Sequence, residues 1–210
     1  MTAIPCSGVI LAGGQNKRLP GINKALIQIN HKHVIDYLFE TFQAIFREII
    51  IVTNEPQLFM DWDAIIATDL FPMRSSLTGI HSGLYYSTSP YAFFSACDMP
   101  FLKKELIQTI VDSIQSNISI VIPKTANGIE PLCAVYSKAC LPSVEDNLKK
   151  GVPKIMNFFN RVKVHHISEE NVRKIDPNLD SFFNINTPYD LAKAEKHVID
   201  TSLISGEKND

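Results

Sequence analysis

The residues best suited to chemistry lie where buried apolar runs give way to polar side chains. After SGVILA come Gly13 and Gly14, and Lys17, Arg18 and Lys24 fall together within eight residues. Adjacent glycines let the backbone approach a phosphate closely and leave amide hydrogens free to point at it. Arg18 can grip phosphate oxygens through its planar fork, and Lys24 can act as a movable point charge. The loop has neither the GxGxxG of dinucleotide-binding proteins nor the GK[ST] ending of a Walker loop. It reads as a phosphate cradle of another grammar. Asp98 leaves a second apolar run, YAFFSAC, just before Met99 and Pro100. A carboxylate near a phosphate loop is a natural ligand for magnesium, which prefers oxygen donors and shares substrate phosphates. The same residue could instead cap the next helix. Asn54 ends a third run, EIIIVT, and Asp69 lies in ATDLFPM, which a plain surface loop would also explain.

Other reactive side chains form no comparable constellation. His81, His165 and His166 lack zinc-ligand spacing, and neighbours such as His165 and His166 face opposite ways in a strand. Ser7, Ser75 and Ser76 have no nucleophile-elbow context, so covalent serine chemistry is not expected.

The elements needed to hold these residues follow from hydrophobic spacing. SGVILAG, EIIIVTN, YAFFSACD and ISIVIPK are short, nearly continuous apolar runs, the mark of strands covered on both faces. Val34, Leu38, Phe42 and Ile45 recur three and four apart, which predicts a helix over 34–46. Further helices are expected over LTGIHSGLYYS, 102–114, 141–149 and 153–159. AIIAT, PLCAVY and RVKVHHI read as additional strands. The last helix has an explicit start: Thr187 as cap, Pro188 in the first position and Asp190 three residues after the cap. The tail from 201 to 210 is expected to fray. Strand–helix alternation at this spacing predicts one domain over 1–210, a three-layer α/β fold with a mostly parallel sheet. In such a sheet ligands gather beyond the carboxyl ends of the strands, where Gly13, Asn54 and Asp98 would meet.

The average composition narrows the partners. Twenty basic and 22 acidic residues give a formal charge of −2, which argues against a broad nucleic-acid or membrane surface. No apolar run is long enough to cross a bilayer, and the opening residues lack a signal-peptide pattern. Cys6, Cys97, Cys133 and Cys140 form no CxxC pair, which suits a reducing, cytoplasmic compartment, and the apolar surroundings of Cys97, Cys133 and Cys140 predict buried thiols at those three.

ILAGGQNKRLPGINKALI resembles the opening signature of nucleotidyltransferases with a pyrophosphorylase-like, Rossmann-like fold. DLFPMRSSLTGIHSGL, AFFSACDMPFL, EPLCAVYSKACLPSVEDNLKKG and FFNINTPYDL extend the resemblance, in order, to the molybdenum cofactor guanylyltransferase family. That likeness implies transfer of GMP from GTP to the terminal phosphate of molybdopterin, or its molybdenum-loaded form, with release of pyrophosphate. It implies backbone contacts from Leu11, Ala12, Gly13 and Gly14 to the nucleotide, phosphate contact by Lys24, and nucleotide contacts from Asn54 and Asp69. Asp98 would meet the nucleotide and coordinate Mg2+, Gly79 would allow close approach beside the base or ribose, and Asn184 and Asn186 would lie near the reacting groups. Arg18, Lys24 and Asp98 would be catalytic. Transient contacts with molybdopterin-supplying proteins and recipient molybdoenzymes are also implied.

The chain departs from the usual pattern at Pro20, at Asn23, where an aspartate is common, and at Ser75 and Ser76, where Gly-Pro is common. Pro20 removes an amide donor from the loop. For the pterin phosphate, Arg74, Lys154, Arg161 and Lys163 are candidates by charge alone. A cytidylyltransferase acting on the same pterin, another small-molecule nucleotidyltransferase and a non-catalytic nucleotide sensor remain alternatives.

Overall fold

A computed structural model describes residues 5–13 and 23–205. The calls on Gly14, Lys17, Arg18 and Pro20 fall outside the described residues. In chain order the elements are β1 (Cys6–Leu11), β2 (Gln28–Ile29), β3 (Lys32–His33), α1 (Val34–Gln43), β4 (Ile49–Val52), β5 (Ile65–Ala67), α2 (Ser76–Tyr86), β6 (Tyr91–Ala96) and α3 (Lys104–Asp112). Then come β7 (Ile120–Thr125), β8 (Gly128–Ile129), β9 (Cys133–Ser137), α4 (Leu141–Lys149), β10 (Val164–Ser168), α5 (Glu169–Arg173) and α6 (Pro188–Ser205).

The central sheet runs β10-β7-β9-β6-β1-β4-β5, with β8 added to β7 as a short hairpin. β1 pairs parallel with β4 and β6, as do β4 with β5 and β7 with β10. β9 is antiparallel to both β6 and β7. Its two reversals cancel, so β6 and β7 point the same way and the carboxyl ends of all the other main strands share one edge.

Alternate strand residues feed two cores, as the two-residue side-chain period requires. Ile10, Ile51, Phe93 and Val135 pack with Phe42 of α1 and Leu106 and Ile110 of α3. Val9, Ile50, Phe94 and Tyr136 pack on the other face with Leu77 and Leu84 of α2 and Val144 of α4. Helices on both faces of a mostly parallel sheet make the expected three layers. A third small cluster, Ile27, Ile29, Val34, Ile185 and Ala194, seats α6 beside the β2–β3 hairpin.

Local differences from expectation have identifiable causes. Residues 153–159 were expected to be α-helical, but Ile155–Arg161 forms a 3₁₀ helix. Its buried residues, Ile155 and Phe158, are three apart, which a three-residue turn aligns on one edge. The five-residue α5 was not expected: it buries Val172 alone, too little to show a helical repeat. The start of α6 matches its sequence pattern. Asp190 N donates to Thr187 Oγ1 at 3.2 Å, and Thr187 N donates back to Asp190 Oδ2 at 2.8 Å.

Candidate active site

The cleft begins where β1 ends. Ala12 N donates to Val52 O at 2.8 Å and Cys97 N donates to Leu11 O at 3.1 Å, so the chain stays between the ends of β4 and β6 as it leaves the sheet. Among the described residues, the nearest atom to a Cβ on Gly13 would be Asn54 Nδ2, at 3.5 Å. The missing side chain leaves room on that side of the cleft lining. Gly79 is tighter. Its Cβ would come within 3.1 Å of the Leu11 side chain, so Leu11 rests against bare helix backbone.

Leu11, Ala12, Gly13, Lys24, Asp69, Gly79, Asp98 and Asn184 are brought together around a cleft of about 440 Å³. Asn54 stands behind this lining and donates through Nδ2 to Asp69 Oδ2 at 2.7 Å. Burial pushes the Asp69 carboxyl above its ordinary pKa, while the Asn54 bond and the nearby Arg74 charge pull it partly back. Asp69, uncertain as a sequence feature, is thus a cleft carboxylate held in place by Asn54.

Lys24 opens a 3₁₀ turn that Asn23 caps, its Oδ1 accepting from Ala25 N at 3.1 Å. The Asn23 amide donates at the same time to Glu55 Oε2 at 3.0 Å. An ionised aspartate at this position can accept the first bond but faces Glu55 as a like charge. Asparagine here suits its neighbour.

From this turn the Lys24 ammonium reaches Asp98 Oδ2 at 3.1 Å and also donates to Asn186 Oδ1. Both members of the ion pair are mostly shielded, with side chains 21% and 14% exposed, so the bulk-water discount on surface ion pairs applies only in part. Asn186 is delivered by an extended segment that docks on the end of β6, where Ile185 N donates to Asp98 O at 3.0 Å. Asn184 Nδ2 is turned back to Phe182 O at 2.8 Å, and the residue lines the cleft.

Of the four cations considered for a second phosphate, only Arg74 lines the cleft. Arg161 Nη1 is paired with Asp146 Oδ2. Lys163 precedes β10, and its carbonyl accepts from Ser119 and Ile120 at the start of β7, the sheet edge opposite the cleft. Ser75 and Ser76 lie in the lining beside Arg74, and Ser75 Oγ caps α2 by accepting from Thr78 N at 3.1 Å. Leu132 also reaches the lining, which the sequence did not suggest. Because β9 runs antiparallel, its amino end arrives at the cleft, and strand direction has no signature in PLCAVY.

Among the described residues no three His, Cys, Asp or Glu side chains converge on one point. The cleft offers Asp98 and Asp69 as carboxylates, an oxygen set that fits magnesium held by one or two side chains and completed by substrate phosphates.

Residues 8–166 match the family described as the MobA-like NTP transferase domain. The chain is 45% identical over 189 residues to the molybdenum cofactor guanylyltransferase of Desulfosudis oleivorans, covering 90% of this chain and 94% of that protein. It is 32% identical to the molybdenum cofactor guanylyltransferase of Syntrophotalea carbinolica, covering 89% of each. The fold superposes with a TM-score of 0.82 on the crystal structure of molybdopterin-guanine dinucleotide biosynthesis protein A from Archaeoglobus fulgidus, at 30% identity, covering 92% of this chain and 99% of that one.

Proposed function

We propose a function from one premise: the chain belongs to the molybdenum cofactor guanylyltransferases of the MobA-like NTP transferase family. It transfers GMP from GTP to the terminal phosphate of molybdopterin, bare or carrying molybdenum, and releases pyrophosphate. The observation that carries the reading is the Lys24 ammonium suspended between Asp98 and Asn186 at the cleft.

The reaction needs no protein nucleophile. An oxygen of the pterin phosphate attacks the α-phosphorus of GTP; a new P–O bond forms as the bond to the bridging oxygen breaks, and pyrophosphate leaves with that electron pair. Two anions must be brought together, so positioning and charge compensation carry the catalysis. Lys24 is the cation placed to offset charge at the transferring phosphate. Leu11, Ala12 and Gly13 present backbone to the nucleotide, Gly79 keeps the helix behind Leu11 close, and Asn54 holds Asp69 toward the cleft. Asn184 and Asn186 orient the reacting groups. Asp98, with Asp69 nearby, would hold Mg2+, which would supply positive charge against the substrate phosphates. Gly14 and Arg18 extend the phosphate cradle in this reading, although their positions lie outside the described residues. Arg74 is the cleft cation available to the pterin phosphate.

All four cysteines are free, which supports a reducing, cytoplasmic setting. Among the described residues no helix is long and apolar enough to cross a membrane. Hand-over between molybdopterin-supplying proteins and recipient molybdoenzymes belongs to the same reading.

The direct test is transfer of radiolabel from each α-labelled nucleoside triphosphate, with and without molybdopterin. Label from GTP appearing in pterin only when molybdopterin is present is the expected result. Transfer from CTP instead makes the protein a cytidylyltransferase. Nucleotide binding without magnesium-dependent pyrophosphate release makes it a sensor.

A further inference from the structure

Asp176 lies outside the cleft, in the turn after α5, yet its side chain is fully buried. Its Oδ1 pairs with Lys103 Nζ at 2.9 Å, and its Oδ2 accepts from Ser181 N at 2.7 Å. Lys103 is tied a second time, because its backbone N donates to Ser181 Oγ at 3.2 Å. Ser181 is itself completely buried. An ion pair and a hydrogen bond therefore fasten the turn from 176 to 181 to the residue just before α3, and the third contact closes the turn on itself.

The geometry follows in both directions from this clasp. Lys103 lies five residues after Asp98, and Ser181 five before Asn186. Between the clasp and the site the two segments are joined again by Ile185 N donating to Asp98 O, and Phe101 packs against Phe183 with ring centres 5.7 Å apart. Beyond Asn186 the chain is held by Asp190, which accepts from the backbone N of both Asn186 and Thr187. Asn186 is thus stretched between two carboxylates, one at each end of its segment, neither of which touches the cleft.

A buried charge is costly to desolvate and is seldom the most stable filling for a core site. What a charged clasp supplies is a fixed register. We infer that Asp176 is a positioning residue for the transfer reaction: through Lys103 and Ser181 it sets the register of the 182–186 segment so that Asn186 Oδ1 meets the Lys24 ammonium beside Asp98. Because this rests on the proposed role of Lys24 and Asn186, its test is built on an Asn186 variant.

Full-length parent, Asn186→Ala, Asp176→Asn and the double variant are compared for pterin-dependent pyrophosphate release from GTP and, separately, for equilibrium GTP binding. The expected result is that Asp176→Asn lowers kcat roughly ten- to a hundredfold, the scale of ångström misplacement. GTP affinity stays within about twofold, since the nucleotide wall is built by β1, β4 and α2. The double variant turns over no more slowly than Asn186→Ala alone, the non-additivity expected when one residue acts through the other. Parental kcat in Asp176→Asn, losses that multiply in the double variant, or GTP affinity falling in step with kcat each overturn the inference and leave the site reading intact. Parental turnover in Asn186→Ala removes the site reading, and the inference with it. Should Asp176→Asn fail to fold, Ser181→Ala, which removes the Lys103 backbone partner and the hydroxyl's bond to Asp176 but keeps the Asp176–Lys103 ion pair, takes its place in the same cycle and is judged by the same outcomes.

Discussion

Lys24 and Asp98, 74 positions apart in the chain, meet as an ion pair at 3.1 Å on the floor of the cleft. The pair keeps bonding capacity for a substrate, since an ammonium carries three N–H donors and a carboxylate two acceptor oxygens. Lys24→Ala and Asp98→Ala should both fold, and each should lose at least about 10²-fold in turnover, the scale seen when a transition-state charge partner is removed. The double variant should lose much less than the product of the two losses. Circular dichroism and pyrophosphate release check this; equal activity in parent and either variant removes that residue from the mechanism.

Three glycines separate stability from binding. A Cβ on Gly8 would lie 2.5 Å from the Phe46 ring, and one on Gly83 would lie 2.6 Å from Phe94. Alanine at either position should destabilise the fold by about 1–3 kcal/mol, the usual cost of overpacking. At Gly79 the nearest atoms among the described residues belong to the Leu11 side chain, which can yield by a few tenths of an ångström. Gly79→Ala should barely change denaturant stability but should raise the KM for GTP. A loss of stability as large as that of Gly83→Ala would contradict it.

Two aspartates should respond to pH with opposite signs. Burial raises the Asp69 pKa, only partly offset by Asn54 and Arg74. Its protonated form favours folding, so that contribution is complete below the ordinary aspartate value of 3.8 and lost as pH rises through the elevated folded value. Asp69→Asn should therefore be more stable than the parent at neutral pH, with the gap closing in acid, while binding GTP more weakly. At Asp176 burial also raises the pKa, but the Lys103 and Ser181 bonds outweigh it and the net shift is downward. Its stabilisation is present above 3.8 and lost as pH falls through the depressed folded value, so Asp176→Asn should be less stable at neutral pH and converge with the parent in acid. Urea titrations across this range read both signs.

Chelation should stop pyrophosphate release without lowering the melting temperature of the nucleotide-free protein, because no cluster of metal-binding side chains exists among the described residues. A fall in melting temperature on adding EDTA would mean that a metal is structural.

Arg74→Ala should weaken pterin-dependent turnover, whereas Arg161→Ala should leave it near the parental rate, since Arg161 serves Asp146. Steady-state kinetics with varied molybdopterin distinguish them, and equal effects would place the pterin phosphate elsewhere.

Much of this site was legible because parallel strands deliver their carboxyl-end residues to one edge. Gly13, Asn54 and Asp98 each follow an apolar run, and the sheet brings the three ends together. The α6 cap was readable because Thr187, Pro188 and Asp190 act over a single turn. The rest depends on distance or direction. Leu132 enters the cleft because β9 runs antiparallel, and an apolar run reads the same in either direction. Asn184 and Asn186 were named from family resemblance alone, since no local pattern announces a partner 162 residues away. Asp176 drew no attention at all: one aspartate between Ile175 and Pro177 looks like a turn residue until Lys103 and Ser181 surround it.

The 162-residue span between Lys24 and Asn186 also orders events during synthesis. Chains leave the ribosome amino end first, and Lys24 emerges long before its amide partner. β1, β4 and α2, which border the cleft, have all been made before Asn186 is added. The lysine acquires its second anchor only when the segment before α6 arrives. The Lys24–Asn186 contact is therefore a late one on a nascent chain, closed well after β1, β4 and α2 have emerged.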